Sequence, residues 1–455
     1  MFRSRVNWHP SLRAFVAGVE EPTSPFVAVQ THEVELSEPL PEITGESPTG
    51  PSAYARARIF VRLHRQPIGL LDVDLACGPV TSHELEQQIW AKFKDAITTH
   101  LAADGAVRSG ETARPPFPLE AQCPAPVDVP QWTPLVSVII CTLGRPRQLQ
   151  NALDALLRLA YPNFEIVVVD NDPNDSSTKE MIDERYVHLS NLRYEPQPLR
   201  GLSAARNRGI DVAVGEILAF TDDDIIVDRY WLSSLVSGFD PEGMVACVTG
   251  LTLASELESR AQTMFEEYGA FNRGYETRLF KRDSNPASTI LYPYTAGVFG
   301  GGGNSAIRLD SFPGELRFDR RLGPGTRAFG AEDLDIFLQT ILHGKYIRYV
   351  PSAIAWHEHR RSYQDLRWQL FTYGAGFTAL LTKWTLHDYR IALDLARLAP
   401  RLVSARLRAD TPEDGGSHRL PKDLRRLELF GFLYGPIALI RSVVELRRST
   451  LVDKS

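Results

Sequence analysis

From Val136 onward, apolar runs of strand length alternate with amphipathic stretches of helix length, and this alternation constrains the fold more than any other feature of the chain. Val136 to Cys141 is one apolar run, Arg147 to Leu159 carries helical periodicity, Glu165 to Val169 is a second run, and Ser177 to Asp183 is a second helix. Leu192 to Glu195, a helix over Leu202 to Val214 and a strand over Ile217 to Phe220 continue the rhythm. Short β-branched runs that alternate with helices read as βαβ units. The expectation is an α/β domain with a mostly parallel sheet, its ligand site outside the carboxyl ends of the strands.

Upstream, strand-like alternation at Phe26 to Leu36, Ala55 to His64 and Gly69 to Leu75 precedes a helical pattern over Ser82 to Leu101. Residues 1–115 therefore read as a small α+β module. Pro115, Pro116, Pro118, Pro124, Pro126, Pro130 and Pro134 crowd the next stretch, so residues 116–134 read as an extended linker, followed by the α/β domain over 135–361 and a helical region over 362–455. At 455 residues the chain is long enough to bury more than one core. Cys77, Cys123, Cys141 and Cys247 show no C-x-x-C spacing, which points to neither a disulfide framework nor a zinc site. With 56 acidic against 50 basic residues, the net charge of -6 argues against nucleic acid as the main partner. Met1 to Pro10 lacks an apolar leader region and no uninterrupted apolar run reaches spanning length, so the expectation is a cytoplasmic protein, soluble or peripheral.

The densest chemistry lies in Phe220-Thr221-Asp222-Asp223-Asp224-Ile225, three carboxylates directly after a short apolar strand. Adjacent anions repel unless something positive sits among them, and Mg2+ or Mn2+ held by carboxylates together with substrate phosphates is a common solution. A solvated acidic turn or helix N-cap is the plainer alternative. Two other strands end in polar residues that converge on the same crevice, one at Thr142 and one at Asp170. Thr142 suits the positioning of a base or ribose and Asp170 suits accepting a hydrogen bond from a base N–H, while turn formation would use either equally well. Gly201 to Gly209 opens a helix with Arg206 and Arg208 near its start, where positive charge is unfavourable unless an anion such as a diphosphate is close. Arg208 reads as an ordinary surface arginine.

Glu332 and Asp333 head a helix running through Leu342, where carboxylates complement the dipole and where one of them is also suited to take a proton from a hydroxyl. Trp356-His357-Glu358-His359-Arg360 follows a strand and offers imidazoles to a metal or to phosphate, although a lone histidine is more often structural. Gly300 to Gly303, before Asn304 and Ser305, interrupts an apolar strand pattern, where glycine weakens a strand unless backbone must approach something closely. The run has neither a P-loop ending nor Rossmann spacing.

Together, the strand ending in Thr142, V-V-V-D-N-D at 167–172, G-L-S-A-A-R-N-R-G-I at 201–210 and F-T-D-D-D at 220–224 resemble the donor half of a family 2 glycosyltransferase with the GT-A fold. The resemblance covers roughly Pro134 to Arg361. It implies that Asp170 recognises the donor base, that Arg206 lies near the diphosphate, and that Asp222 and Asp224 form a D-x-D pair with Asp223 as its middle residue on the donor side. It further implies Asp333 as the general base with Glu332 beside it, His357 as a third metal ligand, and Gly302, Gly303 and Asn304 as lining of the sugar and acceptor pocket. His359 and Arg360 stand as phosphate contacts. The implied reaction is metal-assisted, inverting transfer from a nucleotide sugar, with a UDP-sugar the expected donor, to a hydroxyl of a glycan or lipid-linked acceptor. A sugar-1-phosphate nucleotidyltransferase and a catalytically silent sugar-nucleotide or glycan-binding protein are the alternatives.

In the C-terminal region, Leu366 to Leu386 and Leu427 to Ile440 are apolar helical stretches flanked by basic residues such as Arg360, Lys383, Arg425, Arg426, Arg441 and Arg447. That pattern fits interfacial helices at the inner face of the cell membrane, as an enzyme of cell-envelope glycans would have. It fits equally a helical subdomain packed on the sheet or a homo-oligomer interface.

Overall fold

The computed structural model describes residues 21–22, 25–46, 54–105, 118–119, 132–286, 288–295, 297–409 and 421–452. Most of the expected linker over 116–134, and Met1 to Pro10, lie outside these residues.

The N-terminal unit is a three-stranded sheet in the order β1 (Val29–Glu35), β2 (Arg56–Leu63), β3 (Gln66–Asp74), with helix α1 (Ser82–Ala103) laid against it. Thr81 starts that helix through a capping box, its hydroxyl accepting from the Glu84 amide while Glu84 accepts from the Thr81 amide. Leu85, Ile89, Ile97 and Leu101 then fall on one helical face and close a core of their own with Ile59, Val61, Leu71 and Val73.

The larger sheet has nine strands, ordered β10-β12-β9-β11-β7-β4-β5-β6, with β8 on the edge of β12. Its parallel half is β4 (Val136–Thr142), β5 (Phe164–Asp170), β6 (Leu192–Pro196) and β7 (Ile217–Asp222), joined by α2 (Pro146–Leu156), α3 (Ser177–Arg185) and α4 (Leu202–Val212). Every residue of β4 is buried because helices cover both faces: Ile140 packs with Leu149 and Leu153, and Ile139 with Leu202 and Ala205. Past β7 the sheet becomes mixed. The strands there are β8 (Ile225–Val227), β9 (Val245–Ala254), β10 (Arg278–Phe280), β11 (Ser305–Arg308) and β12 (Tyr346–His357). Strand β11 runs antiparallel to both β7 and β9, and β12 runs parallel to β9 and antiparallel to β8. Helices α5 (Trp231–Ser237), α6 (Arg260–Glu267) and α7 (Glu332–Leu342) complete this layer.

The two units touch through Phe60 and Leu70, which pack into the larger unit's core, and through polar contacts. Arg62 of β2 donates to Asp228 at 3.0 Å, Arg58 lies 3.6 Å from Glu266, and the Val29 amide donates to the Leu257 carbonyl at 3.0 Å.

Three C-terminal helices follow, α8 (Tyr363–His387), α9 (Tyr389–Ala409) and α10 (Lys422–Val452). Helix α8 is core: Leu366, Leu370, Phe371, Ala375 and Ala379 are buried, while Lys383 and Trp384 hold Asp335 of α7 at 2.6 and 2.8 Å. Helices α8 and α10 meet backbone to backbone, since a Cβ on Gly374 would stand 2.5 Å from the Glu428 carbonyl oxygen. Thr378 donates across this contact to the Phe432 carbonyl at 2.8 Å. Lys422–Arg448, 27 residues with a mean hydropathy of 1.5, is long and apolar enough to cross a membrane by length and composition. That departs from the expectation of no spanning-length stretch, because the helix continues through Glu428 and Arg441, where an uninterrupted apolar run would stop.

Candidate active site

Register brings the polar strand ends together. Thr142 of β4 pairs with Asp170 of β5, and Cys141 of β4 pairs with Asp222 of β7, so all three strands deliver a polar residue to one edge of the sheet. Asp170 is fully buried there, accepting from Tyr194 at 2.8 Å and from the Asp172 amide at 3.0 Å. Burial raises its pKa despite those two bonds.

Two arginines compensate the acidic run. Arg145, at the N-cap of α2, donates to Asp223 at 2.8 Å and to Asp224 at 3.0 Å. Arg206, only 2% exposed, bridges Asp222 at 3.1 Å and Glu332 at 2.9 Å, and its guanidinium faces the Phe318 ring. Burial raises Asp223 to about 7, with Arg145 opposing the shift. Glu332 also rises to about 7 through burial and the charge of Asp333. Burial works against Asp224 too, but His357, Arg145 and Arg360 outweigh it and hold the carboxyl at about 2. Arg206→Met, which keeps the stem and removes the charge, is expected to destabilise the fold by about 3 kcal/mol, because buried Glu332 and half-buried Asp222 lose their partner. Denaturant unfolding checks this, and an unchanged midpoint would show that Asp222 and Glu332 are compensated without Arg206.

Asp333 lies across the crevice on the first turn of α7, its carboxylate oriented by the Gly302 amide at 2.9 Å and the Leu334 amide at 2.8 Å. Glycine is required at 302, where a Cβ would stand 2.5 Å from Asp333 Cβ, and at 303, where it would strike Asp222. The glycine run therefore lets one loop lie directly against two carboxylates, a close approach that any side chain would block.

His357 ends β12 with Nε2 at 3.6 Å from Asp224. Its Nδ1 lies 2.8 Å from Nδ1 of His359, whose Nε2 lies 2.8 Å from Glu266. Glu266 accepts only, so His359 carries its proton on Nε2; in its neutral form its Nδ1 then accepts from His357 Nδ1–H. The lone pair of His357 is left on Nε2, facing Asp224. Burial, with His359 and Arg360 nearby, lowers His357 to about 3, so the ring is neutral near pH 7.

These contacts revise several sequence expectations. Asn304 does not face a pocket: its oxygen accepts from Trp231 at 2.8 Å and its NH2 donates to Leu251, Thr252 and Ala353, so the amide is spent on the scaffold. Thr142 spends its hydroxyl proton on Asp223 at 2.8 Å, and Arg145 holds Asp223 from the other side at 2.8 Å, so the scaffold occupies both residues. His359 is 2% exposed and bonded to Glu266, so it is no phosphate contact. Asp224 and His357 come together, whereas Asp222 turns to Arg206. Among the described residues, the three-residue cluster with ligand atoms mutually within 4.8 Å is His64, His100 and Asp104, not Asp222, Asp224 and His357. Arg208 pairs with Glu195 on the surface, as read. Arg145 and Glu266 escape the sequence reading; the one available signal is a cation just before a helix beginning with Pro146, an unfavourable place without an anion.

Asp224 and His357 offer an oxygen and a nitrogen lone pair on one side of a cation position, a donor set that Mn2+ or Mg2+ accepts when phosphates and water complete the shell. A cavity of about 500 Å3 adjoins Asp223 and Asp224 and is lined as well by Arg147, Trp356 and Arg361.

Residues 137–299 match the family model described as Glycosyl transferase family 2. Among curated proteins, the chain is similar to EpsH of Bacillus subtilis (strain 168), 32% identical over 134 residues, which are 29% of this chain and 37% of that protein. It is also similar to glycosyltransferase AglE of Haloferax volcanii, 37% identical over 116 residues, which are 24% of this chain and 37% of that protein. The chain thus matches little more than a third of the length of these relatives. Among solved structures it is similar to the mannosyltransferase PcManGT of Pyrobaculum calidifontis in complex with GDP-Man and Mn2+, at 18% identity and a TM-score of 0.41, covering 70% of this chain and 88% of that one.

Proposed function

We propose, from the premise that residues 137–299 are a family 2 glycosyltransferase domain, that this chain transfers a sugar from a nucleoside-diphosphate sugar to a hydroxyl acceptor with inversion. The observation that carries the reading is the pairing of two carboxylate environments at one crevice: Asp224 with the Nε2 lone pair of His357, and Asp333 oriented by the glycine loop. Mg2+ or Mn2+ bound by Asp224 and His357 would neutralise the leaving diphosphate. Asp333 takes the proton of the acceptor hydroxyl as its oxygen bonds to the anomeric carbon and the bond to the diphosphate oxygen breaks. Glu332 is tied to Arg206, which leaves Asp333 as the base and Glu332 as a positioning residue. Arg206 holds the carboxylate framework from within, and Arg360, Arg147 and Arg361 supply positive charge at the periphery for a diphosphate.

A panel of UDP- and GDP-sugars incubated with the chain and Mn2+ tests this. Slow release of nucleoside diphosphate without acceptor is expected, accelerated by a hydroxyl acceptor. Pyrophosphate instead would mean nucleotidyl transfer, and binding without turnover would leave a silent binding protein.

The acceptor side of the proposal is a glycan or lipid-linked alcohol at the cytoplasmic membrane face. Its support is a stripe on α10: Leu429, Leu433, Ile437, Ile440 and Val444 are 46%, 77%, 49%, 63% and 43% exposed at helical spacing, with Arg426 and Arg447 at its ends. Wild-type protein is expected to float with anionic liposomes and to be released by salt, and the double variant Leu433→Glu, Ile440→Glu to stay in solution. A stripe that instead closes a dimer would leave flotation absent and make the double variant monomeric by light scattering.

A further inference from the structure

We propose that His64, His100 and Asp104 form a binding site for a Zn2+-class cation in the N-terminal unit, outside the segment that matches the family model. His64 Nδ1 lies 3.0 Å from His100 Nε2 and 3.0 Å from Asp104 Oδ2, and His100 Nε2 lies 3.1 Å from the same Asp104 oxygen. Hydrogen bonding does not account for such a triangle. Asp104 only accepts, so when one ring nitrogen donates, the other ring presses a lone pair against the carboxylate. When both donate, their protons confront each other across 3.0 Å. A cation at the centre receives all three lone pairs. Tetrahedral zinc, with bonds of about 2.0–2.1 Å, spaces neighbouring donors about 3.3–3.4 Å apart, so the triangle need open only by a few tenths of an ångström. Two imidazoles and one carboxylate favour zinc over magnesium or calcium.

The scaffold presents these groups from rigid elements. His64 occupies the turn between β2 and β3 with φ of 50°, followed by Arg65 at 67°. Consecutive positive φ values in a hairpin turn favour Asn and Gly, so a histidine here costs backbone energy that a bound ion offsets. Glu35 fastens the turn by accepting from the amides of His64 at 2.8 Å and Arg65 at 2.9 Å. The His64 side chain is 8% exposed and its Nε2 has no partner, so its polar engagement is the triangle alone. His100 and Asp104 stand one helical turn apart, in the last turn and at the C-cap of α1. The Asp104 side chain is 27% exposed. The bound ion pins the hairpin to the end of α1, on the unit that carries Arg58 and Arg62 to the larger sheet. Cysteine spacing could not disclose this site, because its ligands are histidines 36 positions apart brought together by packing.

The full chain, stripped with chelator, is titrated with Zn2+ against a chromophoric chelator and with Co2+ for its visible absorption, in a His357→Ala background that disables the other cation position. One ion per chain is expected, with tetrahedral Co2+ bands and a rise in Tm on Zn2+ addition. Adding His64→Asn, which tolerates the left-handed turn, or His100→Gln should weaken binding by at least about 100-fold, since even outer partners of metal ligands are worth 10–100-fold. If one of these variants fails to fold, the other decides. Absence of bound Zn2+, or binding unaltered by both substitutions, overturns the proposal.

Discussion

Asp333→Asn is expected to lower transfer by about 10^2–10^4-fold while donor affinity stays within a few-fold of wild type. The amide keeps the shape of the carboxylate and an oxygen to accept from the Gly302 amide, which holds the glycine loop, while its NH2 forfeits the bond from the Leu334 amide at the first turn of α7. What it loses is the capacity to take a proton, which matters only as the acceptor oxygen attacks. Donor affinity measured calorimetrically beside single-turnover rates separates the two quantities. A variant that loses donor binding as strongly as turnover would show that Asp333 holds the donor and is no base.

Asp224→Asn is expected to act at the other end of the reaction. An amide is a neutral and poor ligand for a hard cation, so metal-dependent donor binding should weaken by at least about 100-fold and transfer should fall with it. The scaffold should survive, since Arg145 retains Asp223 at 2.8 Å. Donor binding with and without chelator is the measurement. Full activity of the wild type in excess chelator would remove the metal from this mechanism, and wild-type donor affinity in the variant would remove Asp224 from the metal site.

The parts of the site legible in the sequence are those carried by contiguous residues at strand ends. Thr142, Asp170 and Asp222 close three neighbouring parallel strands, and a βαβ pattern is enough to send all three to one edge. The partners of those residues were hidden because they arrive from far along the chain: Arg145 reaches Asp223 over 78 positions and Glu266 reaches His359 over 93. Asn304 misled for a related reason. It follows Gly302 and Gly303, which do lie against carboxylates, yet its own amide is taken by Trp231, Leu251, Thr252 and Ala353. The two apolar C-terminal stretches also look alike in composition. Only packing distinguishes them, with α8 buried among α6, α7 and α10 and one face of α10 left uncovered.

The contacts that reach His357 do not stop at Glu266. Arg58 stands 3.6 Å from Glu266 and donates to Asp72 at 2.7 Å, so a line of charged and imidazole groups runs from β3 through α6 to Asp224. Opening the N-terminal sheet would strip Glu266 of that cation and loosen the residue that fixes the proton positions of His359 and His357. Local opening of the smaller unit is therefore expected to reach His357, whose proton position depends on Glu266 through His359. A sheet outside the segment that matches the family model would in this way influence the crevice of the larger sheet.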